Sequence, residues 1–204
     1  MKKNIILFLI FLILPNFSLA CDKEDFLKFV SAGKKKCIAL QTIGKIERNK
    51  KNLIIFLHGD LSSGAKPPGK KGYWKLGNEL LSDNVNFFFL ARPGYTLDSG
   101  RKSYGSYKET RKAKTNYKWE KLELVAKAAQ NLKEHYNANN LIMIGHSGGA
   151  LTSAIINSRV PKLIDKSILI SCPCDFEKWR KMRGESIYKM KTSPHKNISG
   201  ISKD

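Results

Sequence analysis

The stretch GHSGG at positions 145–149 carries the clearest chemical signal in the chain, because it places Ser147 between glycines in a G-x-S-x-G pattern. An apolar run, Leu141–Ile144, precedes the motif, and a helical pattern over Gly148–Asn157 follows it. Between a strand and a helix, this motif lifts the serine hydroxyl clear of the sheet edge. We therefore predict that Ser147 is a nucleophile; the alternative is that it caps a buried helix.

A serine that attacks an acyl group needs donors for the oxyanion that forms. Gly148 opens the predicted helix, so its N–H has no acceptor inside that helix. The sequence HGD, at 58–60, directly follows another apolar run, Leu53–Leu57. Because the carboxyl ends of parallel strands share one edge of a sheet, the N–H groups of Asp60 and Gly148 are the predicted oxyanion hole. Leu61 is the alternative to Asp60, and a plain strand exit is the alternative interpretation of HGD.

A nucleophilic serine also needs a base that accepts its proton. Three of the four histidines fit this role poorly, namely His58, His135 and His146. His58 is expected to hold the strand-exit loop, and His135 lies near the end of a long helical pattern. The side chain of His146 should diverge from that of the adjacent serine on the turn.

His195 is the one histidine that follows Ser147 in the chain, and Asp175 follows the last apolar run. They are the remaining candidates for the base and the acid of a triad. For Asp175 the alternative is a cap on the helix predicted over Phe176–Met182.

Apolar runs separated by helical patterns must position these residues. The runs are Leu53–Leu57, Val85–Leu90, Leu141–Ile144 and Ile168–Ile170. Runs that are apolar on both faces are typical of a parallel sheet with helices on each side. Periodicity predicts a long helix over Lys118–Tyr136 and a short one around Trp74–Leu81, and Cys37–Ile46 is predicted to be a strand or hairpin arm. The order predicts an α/β fold, with a doubly wound, mostly parallel sheet and flanking helices.

Each apolar run is followed by a distinct motif: HGD, ARPGYTLDSG, GHSGGA and SCPCDFEKWR in turn. In this order the motifs resemble those of the α/β-hydrolase superfamily, and they look like those of secreted serine hydrolases related to prolyl-oligopeptidase-type peptidases. The resemblance implies hydrolysis of ester or peptide-type acyl bonds through an acyl-serine, without a metal or an organic cofactor. It implies Ser147 as nucleophile, the amides of Asp60 and Gly148 as oxyanion donors, and a site floor shaped by the loop 92–95.

In that family the acid and the histidine of the triad follow the serine on later strands, and a Ser-Pro like that at 193–194 precedes the first of these strands. The resemblance therefore implies that roughly 60 to 80 further residues would follow Asp204, so that the last strands of the fold are missing here. An apolar sheet edge would then be exposed. A catalytically impaired remnant, or a non-enzymatic binding protein of the same fold, is the alternative to an active hydrolase.

The first 20 residues have the pattern of a signal peptide: two lysines, the apolar stretch Ile5–Leu14 and small residues up to Ala20. We expect cleavage after Ala20 and export to the periplasm or beyond the cell. Residues 21–204 then form a single domain, incomplete at its C-terminus. An uncleaved membrane anchor is the alternative to cleavage, and Cys21 directly after the cleavage site makes lipidation a further alternative.

The four cysteines are Cys21, Cys37, Cys172 and Cys174, and export would permit disulfides. Cys21 and Cys37 would close a modest loop, whereas Cys172 and Cys174 would pair only in a strained turn. Their spacing does not predict a zinc site.

The formal net charge is +20, and most of the 37 basic residues are lysines scattered along the chain. Base-edge recognition relies on arginine forks, and no nucleic-acid-binding motif is present, so specific nucleic-acid binding is not expected. The charge predicts weak association with anionic surfaces, and a basic cell-envelope binder is the third functional alternative. The expected partner of the site is a small-molecule ester or peptide substrate.

Overall fold

A computed structural model describes residues 25–60, 71–107, 116–186, 193–197 and 199 of the 204. The predicted signal peptide with its cleavage site at Ala20, together with Cys21 and Leu61, lies outside these residues, so the predictions that rest on them stay predictions. Within the described ranges, no helix is both long enough and apolar enough to cross a membrane.

The described residues form a six-stranded mixed sheet. Its strands are β1 (Phe29–Ser31), β2 (Cys37–Ile43), β3 (Asn52–Leu57), β4 (Val85–Leu90), β5 (Asn140–His146) and β6 (Lys166–Ile170), in the spatial order β1-β2-β4-β3-β5-β6. The pairs β4–β3, β3–β5 and β5–β6 are parallel, while β1–β2 and β2–β4 are antiparallel. Leu57 pairs with Leu90 on one side and with Gly145 on the other, so three strands end at the same sheet edge.

Helices cover both faces of this sheet. They are α1 (Lys71–Glu79), α2 (Trp119–His135), α3 (Gly148–Arg159) and α4 (Phe176–Met182), followed by a short 3-10 helix at Pro194–Lys196. Side chains of α2, α3 and α4 share one apolar cluster with Leu53, Ile55 and Leu57 of β3. On the opposite face, Trp74 and Leu76 of α1 pack in a cluster that contains Phe56. Alternate residues of β3 thus face two helical layers, which confirms the doubly wound, mostly parallel architecture.

The element boundaries agree closely with the sequence patterns. Strand β4 and helix α4 have the predicted bounds, and α2 is one residue shorter at each end than the predicted helix over Lys118–Tyr136. The loose alternation over Cys37–Ile46 becomes β2, which forms a hairpin with β1.

Strand β6 departs from the expectation that its apolar run would be covered by helices. Among the described strands it pairs with β5 alone. Ile168, Leu169 and Ile170 are 49%, 39% and 37% exposed, because β6 lies at the sheet edge, where helices cover its faces less completely than those of β3. Among the described residues, β6 therefore forms an exposed apolar edge of the sheet.

Candidate active site

Ser147 lies in the turn between β5 and α3 with φ +51° and ψ −114°. Residues other than glycine rarely adopt a positive φ, and they keep it only where the surrounding structure enforces it. Here the Ser147 N–H donates to the carbonyl of Ile170 over 2.8 Å, and its carbonyl accepts from Leu151 over 3.0 Å. The hydroxyl makes no capping hydrogen bond. Ser147 thus occupies the capping position of α3 without using its side chain as a cap.

Two glycines are required for this turn because backbone atoms fill the space beside them. A Cβ on Gly145 would lie 2.5 Å from the Cα and N of Ala150. A Cβ on Gly149 would overlap the carbonyl oxygen of Leu57 and lie 2.6 Å from that of His58. Backbone cannot move aside as a side-chain tip can, so any larger residue would displace the strand or the helix. This crowding explains why glycine occupies positions 145 and 149.

The loop 58–60 that leaves β3 packs directly on this turn. A Cβ on Gly59 would lie 3.2 Å from Cβ of Ser147 and 3.1 Å from Nδ1 of His146. Gly148 is the first residue of α3, so its N–H has no acceptor within the helix. The Asp60 amide donates to no acceptor within the described part of the chain. The two amides predicted as oxyanion donors therefore belong to the two segments that meet at the serine.

His58 holds this loop and is unsuited to act as a base. The Arg92 N–H donates to its Nε2 over 3.1 Å, so the proton resides on Nδ1, which donates to the carbonyl of Gly59 over 2.7 Å. The ring is fully buried. Burial, helped by the nearby charge of Arg92, lowers the pKa of His58 to about 3. The ring therefore stays neutral, as a positioning group, which agrees with the role expected from its place in the sequence.

The carboxylate of Asp60 accepts hydrogen bonds from four donors that belong to two segments of the chain, the loop 92–95 and residues 116–117. Its Oδ1 accepts from the Arg92 guanidinium, from the Tyr95 hydroxyl at 3.2 Å and from the Asn116 amide at 3.0 Å. Its Oδ2 accepts a short bond from the Tyr117 hydroxyl. Desolvation pushes the pKa of Asp60 upward, but the charge of Arg92 and these hydroxyl donors outweigh it, so the pKa lies below its usual value.

Burial also raises the pKa of Tyr117 well above its usual value, so it stays a neutral donor. Arg92, buried beside it, has its pKa raised, because the attraction of Asp60 outweighs desolvation. The sequence patterns assigned the Asp60 amide and the loop 92–95 to the site but missed Asn116, Tyr117 and the Asp60 carboxylate. One signal was available: Arg92 follows the buried strand β4 by two residues, and a cation that is buried there needs an acidic partner.

His146 and His135 have partners away from Ser147. Nδ1 of His146 bonds the hydroxyl of Tyr73 at 2.9 Å, and the two rings lie 5.7 Å apart. The ring of His135, at the end of α2, stacks on Phe26 with 3.6 Å between centroids. Neither contact presents a base to the serine.

The structure brings Asp175 and His195 close to each other. Asp175 caps α4 by accepting from the Lys178 N–H at 3.1 Å. Nδ1 of His195 lies 3.7 Å from the Asp175 carboxylate and 2.9 Å from Oγ of Ser193. Among the described residues, no hydrogen bond joins either side chain to Ser147. The capping alternative for Asp175 is therefore present in the structure, whereas a triad role for the pair stays a prediction.

A disulfide joins Cys172 and Cys174 in the turn between β6 and α4. The sequence allowed this pair only in a strained turn, and Ser171, which precedes it, has a positive φ of 52°. The carbonyl of Cys174 accepts from Oγ of Ser193 at 3.2 Å and from the N–H of His195 at 3.3 Å. This turn thus anchors the segment that carries His195.

The chain matches no protein-family model and no curated protein sequence, but many solved structures share its fold. An esterase of Pyrococcus furiosus aligns with a TM-score of 0.54 at 20% identity, over 80% of this chain and 56% of its own. Est1E of Butyrivibrio proteoclasticus, solved with ferulic acid bound, aligns with a TM-score of 0.53 at 17% identity, over 76% and 56%. A proline iminopeptidase of Mycobacterium smegmatis aligns with a TM-score of 0.52 at 13% identity, over 77% of this chain and 47% of its own.

The chain has the α/β-hydrolase fold. It spans about half the length of the solved structures it matches. Identities this low show a shared architecture and not a shared substrate. In α/β hydrolases the nucleophile occupies the tight turn between a sheet strand and the following helix, and here Ser147 stands between β5 and α3.

Proposed function

We propose that this α/β-hydrolase chain is an exported serine hydrolase that cleaves ester or peptide-type acyl bonds, with Ser147 as nucleophile. The observation that carries the proposal is the strained turn at Ser147. The serine hydroxyl makes no capping hydrogen bond to α3, and the loop 58–60 packs against the serine. The esterases and the iminopeptidase that share the fold support a small acyl substrate of this kind.

In the proposed reaction, Oγ of Ser147 attacks the carbonyl carbon of the substrate while a base accepts the hydroxyl proton. The negative charge that develops on the carbonyl oxygen is stabilised by the N–H groups of Asp60 and Gly148. Collapse of the tetrahedral intermediate releases the alcohol or amine, which takes up that proton. Water then loses a proton to the base and attacks the acyl-serine, the carboxylic acid leaves, and Oγ of Ser147 regains a proton.

His195 is the candidate base of this proposal within the chain. Ser193 donates its hydroxyl proton to the carbonyl of Cys174, so its Oγ is left to accept from Nδ1–H of His195. In that tautomer Nε2 carries a lone pair and is the proton acceptor. About 37% of the His195 side-chain surface is exposed, which permits access to a reacting group.

A non-enzymatic binding protein of the same fold is the second candidate function. The observation that favours it is the absence, among the described residues, of a histidine bonded to Ser147. A serine without a base is a weak nucleophile, so such a chain would bind acyl compounds without turning them over.

Export is part of the proposal. The signal-peptide pattern of residues 1–20 supports it, and the Cys172–Cys174 disulfide is of a kind that persists in oxidising compartments. The charge of +20 further supports weak, salt-sensitive association with anionic surfaces such as a cell envelope.

Labelling with a fluorophosphonate probe, which modifies activated serines, tests the function. We expect wild type to be labelled and Ser147→Ala to show no signal, with His195→Gln labelled at least about 100-fold more slowly. Equal signals from wild type and Ser147→Ala would refute Ser147 as nucleophile. Binding of an acyl compound by wild type without labelling or ester turnover would favour the binding protein instead.

A further inference from the structure

The Asp60 side chain accepts four hydrogen bonds from the protein although it is partly exposed to water. About 44% of its side-chain surface is exposed, so water could satisfy the carboxylate. Instead it accepts from Arg92, Tyr95, Asn116 and Tyr117, and all four of these residues are buried. These donors come from the β4 exit and from the segment before α2, and together they fix the orientation of the carboxylate.

The same residue carries one of the two amides assigned to the oxyanion hole. Within Asp60, only Cα and Cβ separate the backbone N–H from the anchored carboxyl carbon. Anchoring that carbon therefore restricts the backbone rotation that sets the direction of the N–H. A donor contributes fully to transition-state stabilisation only if it already points at the developing charge.

Gly148, whose N–H is the second donor of the hole, lies beside this anchored side chain. A Cβ on Gly148 would overlap the Tyr117 hydroxyl and lie 2.7 Å from Oδ1 of Asp60. The carboxylate thus occupies the space that a side chain at position 148 would fill, directly beside the start of α3. The loop 58–60 therefore packs on the start of α3 at two points, through Asp60 beside Gly148 and through Gly59 beside Ser147.

Arg92 holds the loop at two points. Its backbone N–H donates to His58, and its guanidinium donates to Asp60, two residues further along the chain. The buried guanidinium also neutralises the carboxylate, which would otherwise repel the negative charge of an oxyanion nearby. Because the carboxylate already accepts four hydrogen bonds, it has little remaining capacity to bind a cationic group of a substrate.

We propose that the Asp60 carboxylate, anchored by Arg92 and Tyr117, is a positioning residue that aims its own backbone N–H and orders the start of α3 at Gly148. The proposal rests on the proposed function, because it assigns a role within the Ser147 site. It predicts that loosening the anchor slows acylation of Ser147 without weakening the initial binding of an acyl compound.

The test is the concentration dependence of fluorophosphonate labelling, which separates the maximal rate of modification from the half-saturating probe concentration. We expect Asp60→Asn to lower the maximal rate about 10-fold or more, a smaller loss than the roughly 100-fold or larger loss caused by removing an oxyanion donor outright. Tyr117→Phe, which keeps the Asp60 charge and the ring packing, should lower it about 3-fold or more. The half-saturating concentration should stay within about twofold in both variants.

Asp165→Asn is the matched control. Asp165 also accepts from a lysine, Lys133, and from a backbone N–H, that of Leu141, but it precedes β6 at the opposite end of the sheet. It should alter stability and leave the labelling rate unchanged, which excludes a general loss of stability as the cause.

Wild-type maximal rates in folded Asp60→Asn and Tyr117→Phe would overturn the proposal. A raised half-saturating concentration at an unchanged maximal rate would also overturn it, because Asp60 would then bind the probe. If Asp60→Asn does not fold, the maximal labelling rate of Tyr117→Phe alone tests the proposal. Absence of labelling in wild type would refute the proposed function instead, so the two failures are distinguishable.

Discussion

The backbone N–H of Arg92 donates to Nε2 of His58 over 3.1 Å, across the ends of two neighbouring parallel strands. This bond fixes His58 as the Nδ1–H tautomer, and that proton is bonded in turn to the carbonyl of Gly59. Protonation of the ring would break the bond to Arg92 and place a second positive charge beside the guanidinium. The loop that packs on Ser147 therefore depends on a histidine that must remain neutral.

We expect the free energy of unfolding to fall as the pH is lowered from 7 to 5, in part through His58. The pKa of His58 is about 3 in the folded chain and returns to about 6.5 on unfolding. Between these values the unfolded state binds the additional proton, so stability is complete above about pH 6.5 and declines below it. At pH 5 the loss from this residue is about 2 kcal/mol.

Urea unfolding of wild type and His58→Gln at pH 7 and pH 5 measures this contribution. The variant should be less stable at pH 7, yet it should lose about 2 kcal/mol less than wild type between the two pH values. An identical loss in both proteins would show that His58 is already accessible to protons in the folded state.

Gly149→Ala should destabilise the chain by about 3 kcal/mol or more, because its Cβ would overlap the backbone carbonyl of Leu57. Gly77→Ala, in helix α1, is the matched variant. There the added Cβ meets chiefly the terminal Cδ1 of Ile43, which can rotate away, and alanine favours the helix by about 1 kcal/mol. In thermal or urea unfolding, Gly77→Ala should therefore be much more stable than Gly149→Ala. Equal losses of stability in the two variants would argue against the backbone clash.

Of the two roles predicted for Asp175, helix cap and acid of a triad, the geometry favours the cap. Its carboxylate accepts from Lys178 at 3.1 Å, whereas Nδ1 of His195 lies 3.7 Å away, beyond hydrogen-bonding distance. Asp175→Ala should cost about 1 kcal/mol of stability, while Asp175→Ser, which keeps a capping oxygen, should cost much less. Both variants should label with the fluorophosphonate probe at the wild-type rate; a slower rate in both would assign the carboxylate to catalysis.

Replacing Cys172 and Cys174 together with serine should reduce the free energy of unfolding by only about 1 to 2 kcal/mol, because the bridge closes a very short loop. The local effect should be larger. The amide of His195 donates to the carbonyl of Cys174, so its hydrogen exchange should speed up in the double variant more than that of amides in β3. Unchanged protection at His195 would show that the disulfide does not anchor this segment.

Much of the architecture was predictable because each of the parallel strands β3 to β6 contains a continuous apolar run that is followed by a distinctive motif. Val85–Leu90 is a strand with the predicted bounds, and the glycines around Ser147 indicated the tight turn that the backbone adopts. These signals are local: they depend on residues adjacent in sequence.

The anchor of Asp60 was not predictable in the same way. Asn116 and Tyr117 reach Asp60 across 56 and 57 residues, and neither lies in a pattern that shows where its side chain points. The exposure of β6 could not be predicted from its composition either, because the apolar sequence ILI fits an edge strand as well as a central strand. Which strand becomes the edge depends on the order of pairing, and that is a property of the whole sheet.

The ion pair between Arg92 and Asp60 has a consequence for how this protein can diverge. Replacing Asp60 alone leaves a cation buried without its partner, a penalty on the order of 3 kcal/mol and a large share of the stability of an ordinary domain. Replacing both by uncharged residues that fill the same space removes that penalty. Substitutions at the two positions should therefore be epistatic, and descendants of this sequence should keep both residues or exchange both.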